Sequence, residues 1–211
     1  MVVGVAGHSG SGKTTFAKLL AHQMRGTLIS QDDFYHGRDV MLAAGESAEN
    51  FDSLAAIDYS LLASILDQVQ HSNIHIVRVP NYDFIRQSRD GFKSVEVRDP
   101  IIVEGHLVFT SPEVTDHVDF LVYMDANREI ARERRLSRDI RERGYSAIGS
   151  KVYYEKYVLP QLDSIEEIRI WADLIVDSNN TVDDTKLEIP GIVEILKSKF
   201  LDSAFENGSY E

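Results

Sequence analysis

The run Gly7-His8-Ser9-Gly10-Ser11-Gly12-Lys13-Thr14 stands between an apolar stretch, Val2 to Ala6, and a helical pattern, Thr14 to Met24. A strand, a glycine-rich turn and a helix, with the spacing G-x-x-x-x-G-K-[ST], make a phosphate-binding loop. The glycines let successive backbone N–H groups turn inward around an anion, where side chains would clash. In such a loop Lys13 reaches the β- and γ-phosphates of a nucleotide, and the Thr14 hydroxyl is offered to Mg²⁺. Gly7, Ser9, Gly10, Ser11, Gly12 and Thr15 complete the cradle. A glycine-rich turn that merely caps a helix is the plainer alternative, and the strand before the run argues against it.

A loop of this kind needs a parallel sheet behind it, and the rest of the chain supplies the pattern. Val2 to Ala6, Thr27 to Ser30, Ile101 to Glu104, Phe120 to Met124 and Leu174 to Val176 read as strands, several without in–out alternation and so buried on both faces. Between them, helical periodicity covers Thr14 to Met24, Asp58 to Gln70, Asn127 to Arg143, a segment around Tyr153 to Trp171, and Asp184 to Phe200. This alternation predicts an α/β fold with a parallel sheet wrapped by helices. Two further β-like runs, Ile74 to Val79 and Ser94 to Val97, flank a polar and aromatic stretch from Pro80 to Gly91 and suggest a small hairpin or lid over a ligand. The expected organisation is one domain over residues 1–201, with a hairpin insertion at 74–98, a lid region at 128–160 and a frayed tail at 202–211.

Charge narrows the partner. The chain carries 34 acidic and 22 basic residues, a net charge of −12, which repels nucleic-acid polymers and anionic membranes and favours a small-molecule partner. It has no cysteine, so thiol nucleophiles, disulfides and cysteine-ligated metals are excluded. No apolar run approaches the roughly 20 residues of a membrane span and no basic leader precedes the first strand, so a cytoplasmic location is expected.

Three constellations bear on chemistry. Ser30-Gln31-Asp32-Asp33-Phe34-Tyr35 places two carboxylates at the carboxyl end of a strand, the edge where open α/β sheets bind ligands. A carboxylate there can take the proton of an attacking hydroxyl or bind a metal, and neighbours on an extended chain point opposite ways, so each job falls to one of them. An Asp in a turn at a strand end is the plainer reading. Pro100 to Gly105 is an apolar strand that ends on Glu104, as a Mg²⁺-facing acid would. Arg128, Arg132, Arg134, Arg135, Arg138, Arg141 and Arg143 crowd one lysine-free helix, an anion trap in an acidic chain. Intrahelical pairs with Glu129, Glu133, Asp139 and Glu142 would occupy several of them, leaving two or three for a ligand. No histidine has metal-ligand spacing, and the absence of an Asn-Lys-x-Asp reader argues against a GTP switch.

Taken in order, GVAGHSGSGKTT (Gly4 to Thr15), SQDDFY (Ser30 to Tyr35), NFD (Asn50 to Asp52), NYDFIRQSR (Asn81 to Arg89), IIVEGHLVF (Ile101 to Phe109), RRLSRDIRERG (Arg134 to Gly144) and WADLIV (Trp171 to Val176) resemble the uridine/cytidine kinases of the phosphoribulokinase–uridine kinase group. The resemblance implies a five-stranded parallel sheet and transfer of the ATP γ-phosphate to the 5′-hydroxyl of a nucleoside, with Mg²⁺. By position it makes Asp32 the base facing that hydroxyl, helped by Lys13 and Arg138, and makes Thr14, Asp32 and Glu104 the metal-site residues. It pairs Asp52 with Arg135 on the ribose hydroxyls, puts Tyr35, Phe51, Tyr82 and Phe84 around the base, and sets Arg138 and Arg143 against the ATP phosphates. Two positions depart from the family pattern. Gln87 stands where a histidine commonly reads the pyrimidine edge, and Tyr145 where a lid arginine is common. A glutamine amide still offers one donor and one acceptor side. Related kinases for other small alcohols (nicotinamide riboside, pantothenate, a sugar phosphate) and a non-catalytic ATP-binding module are the alternatives, and association into a homo-oligomer is left open.

Overall fold

The structure is a computed structural model that describes residues 1–47 and 49–207, with side chains to residue 199. In chain order its elements are β1 (Val2–Ala6), α1 (Lys13–Met24), β2 (Thr27–Ser30), α2 (Arg38–Ala43), α3 (Tyr59–His71), β3 (Ile76–Asp83), β4 (Ser88–Glu96), β5 (Ile101–Glu104), α4 (Pro112–Thr115), β6 (Phe120–Asp125), α5 (Arg128–Glu142), α6 (Ala147–Tyr153), α7 (Leu162–Glu167), β7 (Leu174–Asp177) and α8 (Val182–Asn207). Five strands pair in parallel in the order β2-β5-β1-β6-β7, as the buried apolar runs require. The register sets Ser30 beside Glu104 and Glu104 beside Val5, so the carboxyl ends of three strands open beside the phosphate loop.

The sheet divides the core in two. On one face Phe16, Ala17 and Leu20 of α1 meet Ile189, Ile192, Val193 and Leu196 of α8 across Val3, Val5 and Val122. On the other, Leu62, Ile65 and Leu66 of α3 pack with Val77 and Val79 of β3 against Val2, Ile101 and Val103. Each such side chain buried from water stabilises the fold by about 1.5–3 kcal/mol. Helix starts follow the sequence: Asn127 accepts from the Glu129 N–H at 2.9 Å, and Thr181 and Asp184 cap each other reciprocally. No described helix is long and apolar enough to cross a membrane.

Three expectations about segments are corrected. β3 and β4 form the hairpin, but they run through the stretch from Pro80 to Gly91 and leave a turn of only four residues, 84–87. A register shift between Pro80 and Tyr82 accommodates the proline, which has no N–H to donate, and re-phases the buried face from Val77 and Val79 to Pro80 and Tyr82. The helical segment around Tyr153 to Trp171 is broken into α6, a π-helical stretch (Tyr154–Val158), a 3₁₀ turn holding Pro160, α7 and a second 3₁₀ turn. The last helix continues through Asn207, beyond the expected end at Phe200 and into the expected tail, of which residues 208–211 lie outside the described residues.

Candidate active site

The loop between β1 and α1 is built to meet an anion. Gly12 occupies the N-cap of α1 at φ 88° with no side-chain cap, so the first N–H groups of the helix have no such partner. Gly10, at φ 92°, lies so close to α5 that a Cβ would fall 2.1 Å from the Ala131 carbonyl oxygen. Lys13 is buried, donates from Nζ to the His8 carbonyl at 3.1 Å, and is pushed down to about 8 by loss of solvent. A phosphate would return what burial takes from this ammonium. The His8 side chain points away, its Nε2 3.1 Å from Glu166 of α7. Gly7 and Ser11 support the loop from behind: a Cβ at Gly7 would meet the Met124 carbonyl oxygen at 2.8 Å, and Ser11 is fully buried.

Two carboxylates face this loop. Glu104 ends β5 almost wholly buried and accepts from the Thr14 hydroxyl at 3.1 Å and from the Ser30 hydroxyl at 2.5 Å. Burial, followed by the charge of Asp32, raises its carboxyl above the ordinary range. Asp32 and Asp33 sit on a 3₁₀ turn (Gln31–Phe34) rather than on extended chain, and the turn separates them. Asp33 pairs with Lys93 of the hairpin at 2.6 Å, whereas Asp32 lines the cavity. A hydroxyl and two carboxylates, one of them almost wholly buried, form a hard-oxygen donor set that fits Mg²⁺. Among the described residues no three His, Cys, Asp or Glu side chains form a metal cage, so such an ion would take its remaining ligands from phosphates or water.

Opposite the loop lies a smaller pocket. Arg135, from the buried face of α5, makes two parallel bonds of 2.8 Å to both carboxylate oxygens of Asp52, and both side chains are about 5% exposed or less. Burial pushes Asp52 upward, but the Arg135 guanidinium outweighs it and holds the carboxyl well below its usual range. Tyr35, Phe51, Tyr82 and Phe84 form one aromatic wall, with ring centroids 5.4 Å apart for Tyr35 and Tyr82 and 5.1 Å for Tyr82 and Phe84. Gln87, at φ 52°, closes the hairpin turn and lines the same pocket, as does Tyr145. Every residue assigned by resemblance to the acceptor therefore converges on one cavity.

Arginines of α5 divide differently from expectation. Arg138 reaches the Ser9 hydroxyl at 3.2 Å, and Arg143 lies 4.5 Å over the Phe84 ring and 3.8 Å from Asp32. Arg134 instead holds the carbonyls of Ser178, Asn179 and Asn180, and Arg128 ties Asp163 and Glu166 of α7. Of the four acids expected to pair along the helix, Asp139 alone does so among the described residues, with Arg135, Arg138 and Arg143. It is buried at the centre of three guanidinium groups, where one acid can serve several. A second cleft of about 770 Å³ runs past Gly10, Gly12, Thr15, Arg134 and Thr181. Lys13, Thr14, Asp32, Arg138 and Arg143 line both cavities. Sequence reasoning missed Tyr153, whose hydroxyl accepts from Phe51 N–H at 3.1 Å, and gave no role to His106. His106 lies within the run Ile101 to Phe109, but the partners that give it and Tyr153 their places, Gln31 and Phe51, are distant in sequence.

The model of the phosphoribulokinase/uridine kinase family matches residues 2–184. The chain is 34% identical over 181 residues to a uridine kinase of Brevibacillus brevis, covering 83% of this chain and 84% of that protein. It is 31% identical over 216 residues to a uridine kinase of Limosilactobacillus reuteri, covering 100% and 95%. It also matches uridine kinase-like protein 5 of Arabidopsis thaliana at 32% identity, over 94% of this chain but only 43% of that protein, so it spans less than half of the plant relative. Among solved structures, a possible uridine kinase from Bacillus stearothermophilus shares the fold with a TM-score of 0.61 at 22% identity, covering 84% of this chain and 88% of that one. A putative fructose transport system kinase from Silicibacter does so with a TM-score of 0.71 at 19% identity, covering 83% and 89%.

Proposed function

The chain belongs to the phosphoribulokinase/uridine kinase family, and from that premise we propose that it transfers the γ-phosphate of ATP to the 5′-hydroxyl of uridine or cytidine. The carrying observation is that Asp32 and Lys13 stand where two cavities meet, one bordered by the phosphate loop and the other by Asp52, Arg135 and the aromatic wall. A donor and an acceptor placed in these cavities would bring γ-phosphorus and hydroxyl together between those side chains. The names of the bacterial relatives support the nucleoside as acceptor.

In the reaction the hydroxyl oxygen forms a bond to the γ-phosphorus as the bond to the β,γ-bridging oxygen breaks. The hydroxyl proton passes to an Asp32 carboxylate oxygen, and ADP leaves. Lys13, Arg138 and Arg143 hold the phosphate oxygens in line, and most of the rate enhancement comes from this positioning and from fixed positive charge. Thr14, Asp32 and Glu104 would hold Mg²⁺, which when bound neutralises phosphate charge. For Asp32 to take the proton, Arg143, now 3.8 Å away, has to turn toward phosphate. Asp52 and Arg135 would read the ribose hydroxyls, the tyrosines and phenylalanines would stack around the base, and Gln87 would meet its edge. Kinetics with uridine, 2′-deoxyuridine and the Asp52→Ala variant test this: the wild type is expected to prefer the ribonucleoside and the variant to lose most of that preference. Equal specificity constants for the two nucleosides in the wild type would refute the ribose assignment.

A further inference from the structure

His106 presents a donor that the mechanism above leaves unused. The Leu107 N–H donates to Gln31 Oε1 at 2.8 Å, which fixes the Gln31 amide so that its NH₂ faces His106 Nδ1 at 3.2 Å. Nδ1 therefore accepts, and the neutral imidazole carries its proton on Nε2. The mount is specific: a Cβ at Gly105 would fall 2.3 Å from Gln31 Oε1. His106 is 6% exposed and lines the acceptor pocket, and its buried Nε2 has no aligned hydrogen-bond partner although Asp52 Oδ1 lies 3.1 Å away. A buried donor and a buried acceptor thus stand side by side, misaligned with each other, at the edge of one cavity. A group that accepts from His106 Nε2–H satisfies that donor, and if it also donates to Asp52, whose oxygens already accept from Arg135, it bridges the two; a hydroxyl does both while an ether or a methylene does not.

We propose that His106 determines acceptor specificity, its Nε2–H donating to a sugar hydroxyl that in turn donates to Asp52. The inference rests on the nucleoside-kinase reading and assigns that site a third hydroxyl-reading residue beside Asp52 and Arg135. Loss of the donor removes a bond made only to substrates that carry the hydroxyl, so it changes discrimination rather than turnover in general.

The test is kcat/KM for uridine, 2′-deoxyuridine and 3′-deoxyuridine in the wild type, His106→Leu and His106→Asn, with the KM for ATP as control. The expected wild-type preference for uridine over at least one deoxy analogue is about 10-fold or more. In His106→Leu that preference falls at least about 5-fold through the uridine constant, with the KM for ATP unchanged, and His106→Asn, which keeps an N–H, recovers part of it. An unchanged preference, or an equal loss on all three nucleosides, overturns the assignment while leaving the kinase reading intact. A wild type that phosphorylates no ribonucleoside overturns both. Nitrogen-15 imidazole spectra of the wild-type protein test it without any variant: His106 should be protonated at Nε2, and its resonance should move with uridine and not with 2′,3′-dideoxyuridine. Protonation at Nδ1, or equal shifts with both ligands, contradicts the proposal.

Discussion

Replacing Arg135 by methionine strips Asp52 of two 2.8 Å bonds in a place where the two side chains are 4% and 5% exposed. Breaking such a buried pair costs about 3–5 kcal/mol, because the remaining charge is stranded away from water. His106 beside Asp52 favours the lower end, about 3 kcal/mol, and in a chain of this length that lowers Tm by about 6–12 °C. Asp52→Asn is milder, about 2 kcal/mol, since Arg135 Nε keeps Asp139 at 3.4 Å and the amide oxygen can accept one bond. The double variant should lose about 3 kcal/mol rather than the sum of about 5, a coupling of about 2 kcal/mol. Urea unfolding of the four proteins measures it, and additivity within about 0.5 kcal/mol would refute the reasoning. The pair also sets a pH signature. Because the folded-state pKa of Asp52 is depressed, its stabilisation is complete above the unfolded value near 3.9 and is lost as pH falls through the folded value. The stability gap between wild type and Asp52→Asn should stay level from pH 7 to about 4 and close only below that. A gap that widens on acidification has the wrong sign.

Asp32→Asn should leave nucleoside binding nearly intact and slow phosphoryl transfer by about 10²-fold or more, while Asp33→Asn, which only frees Lys93, should keep near-wild-type turnover; single-turnover kinetics separate the two. Lys13→Ala should weaken ATP binding by calorimetry and turnover alike, since this buried ammonium serves the phosphates in both states. Gln87→Ala should raise the KM for uridine and cytidine much more than that for ATP, and Gln87→His should be tolerated. Steady-state constants that match the wild type on every nucleoside would make Gln87 a turn residue only.

How much of this was legible in the sequence depended on range. The core strands and the phosphate loop were readable because short apolar runs, several without in–out alternation, and a fixed glycine spacing are local signals, as Val2 to Ala6 and Gly7 to Thr14 illustrate. The hairpin was readable in kind but not in extent: the β-like run was ended at Val79, and only the partner strand reveals the register shift that lets pairing continue past Pro80. The run from Tyr153 to Trp171 kept an apolar pattern across Pro160, so periodicity could not show where the helix breaks. At the site, the residues given roles by the resemblance came together as a set, whereas Gln31, His106 and Tyr153, given none, gain meaning only from neighbours at long separation, such as Leu107 for Gln31 and Phe51 for Tyr153. The choice between Asp32 and Asp33 was of the same kind, since Lys93 lies 60 residues from Asp33. Arginine roles outside the resemblance were the least legible, because partners such as the Ser178 carbonyl, held by Arg134, lie in other segments.

The most direct measurement of the central claim is product identification after incubating the protein with ATP, Mg²⁺ and each of a panel of nucleosides and small alcohols, nicotinamide riboside and pantothenate included. Phosphorus NMR and mass spectrometry should show uridine or cytidine converted to its 5′-monophosphate with one ADP formed per product. ADP formed without any nucleoside 5′-monophosphate, or phosphorylation confined to a non-nucleoside alcohol, would contradict it.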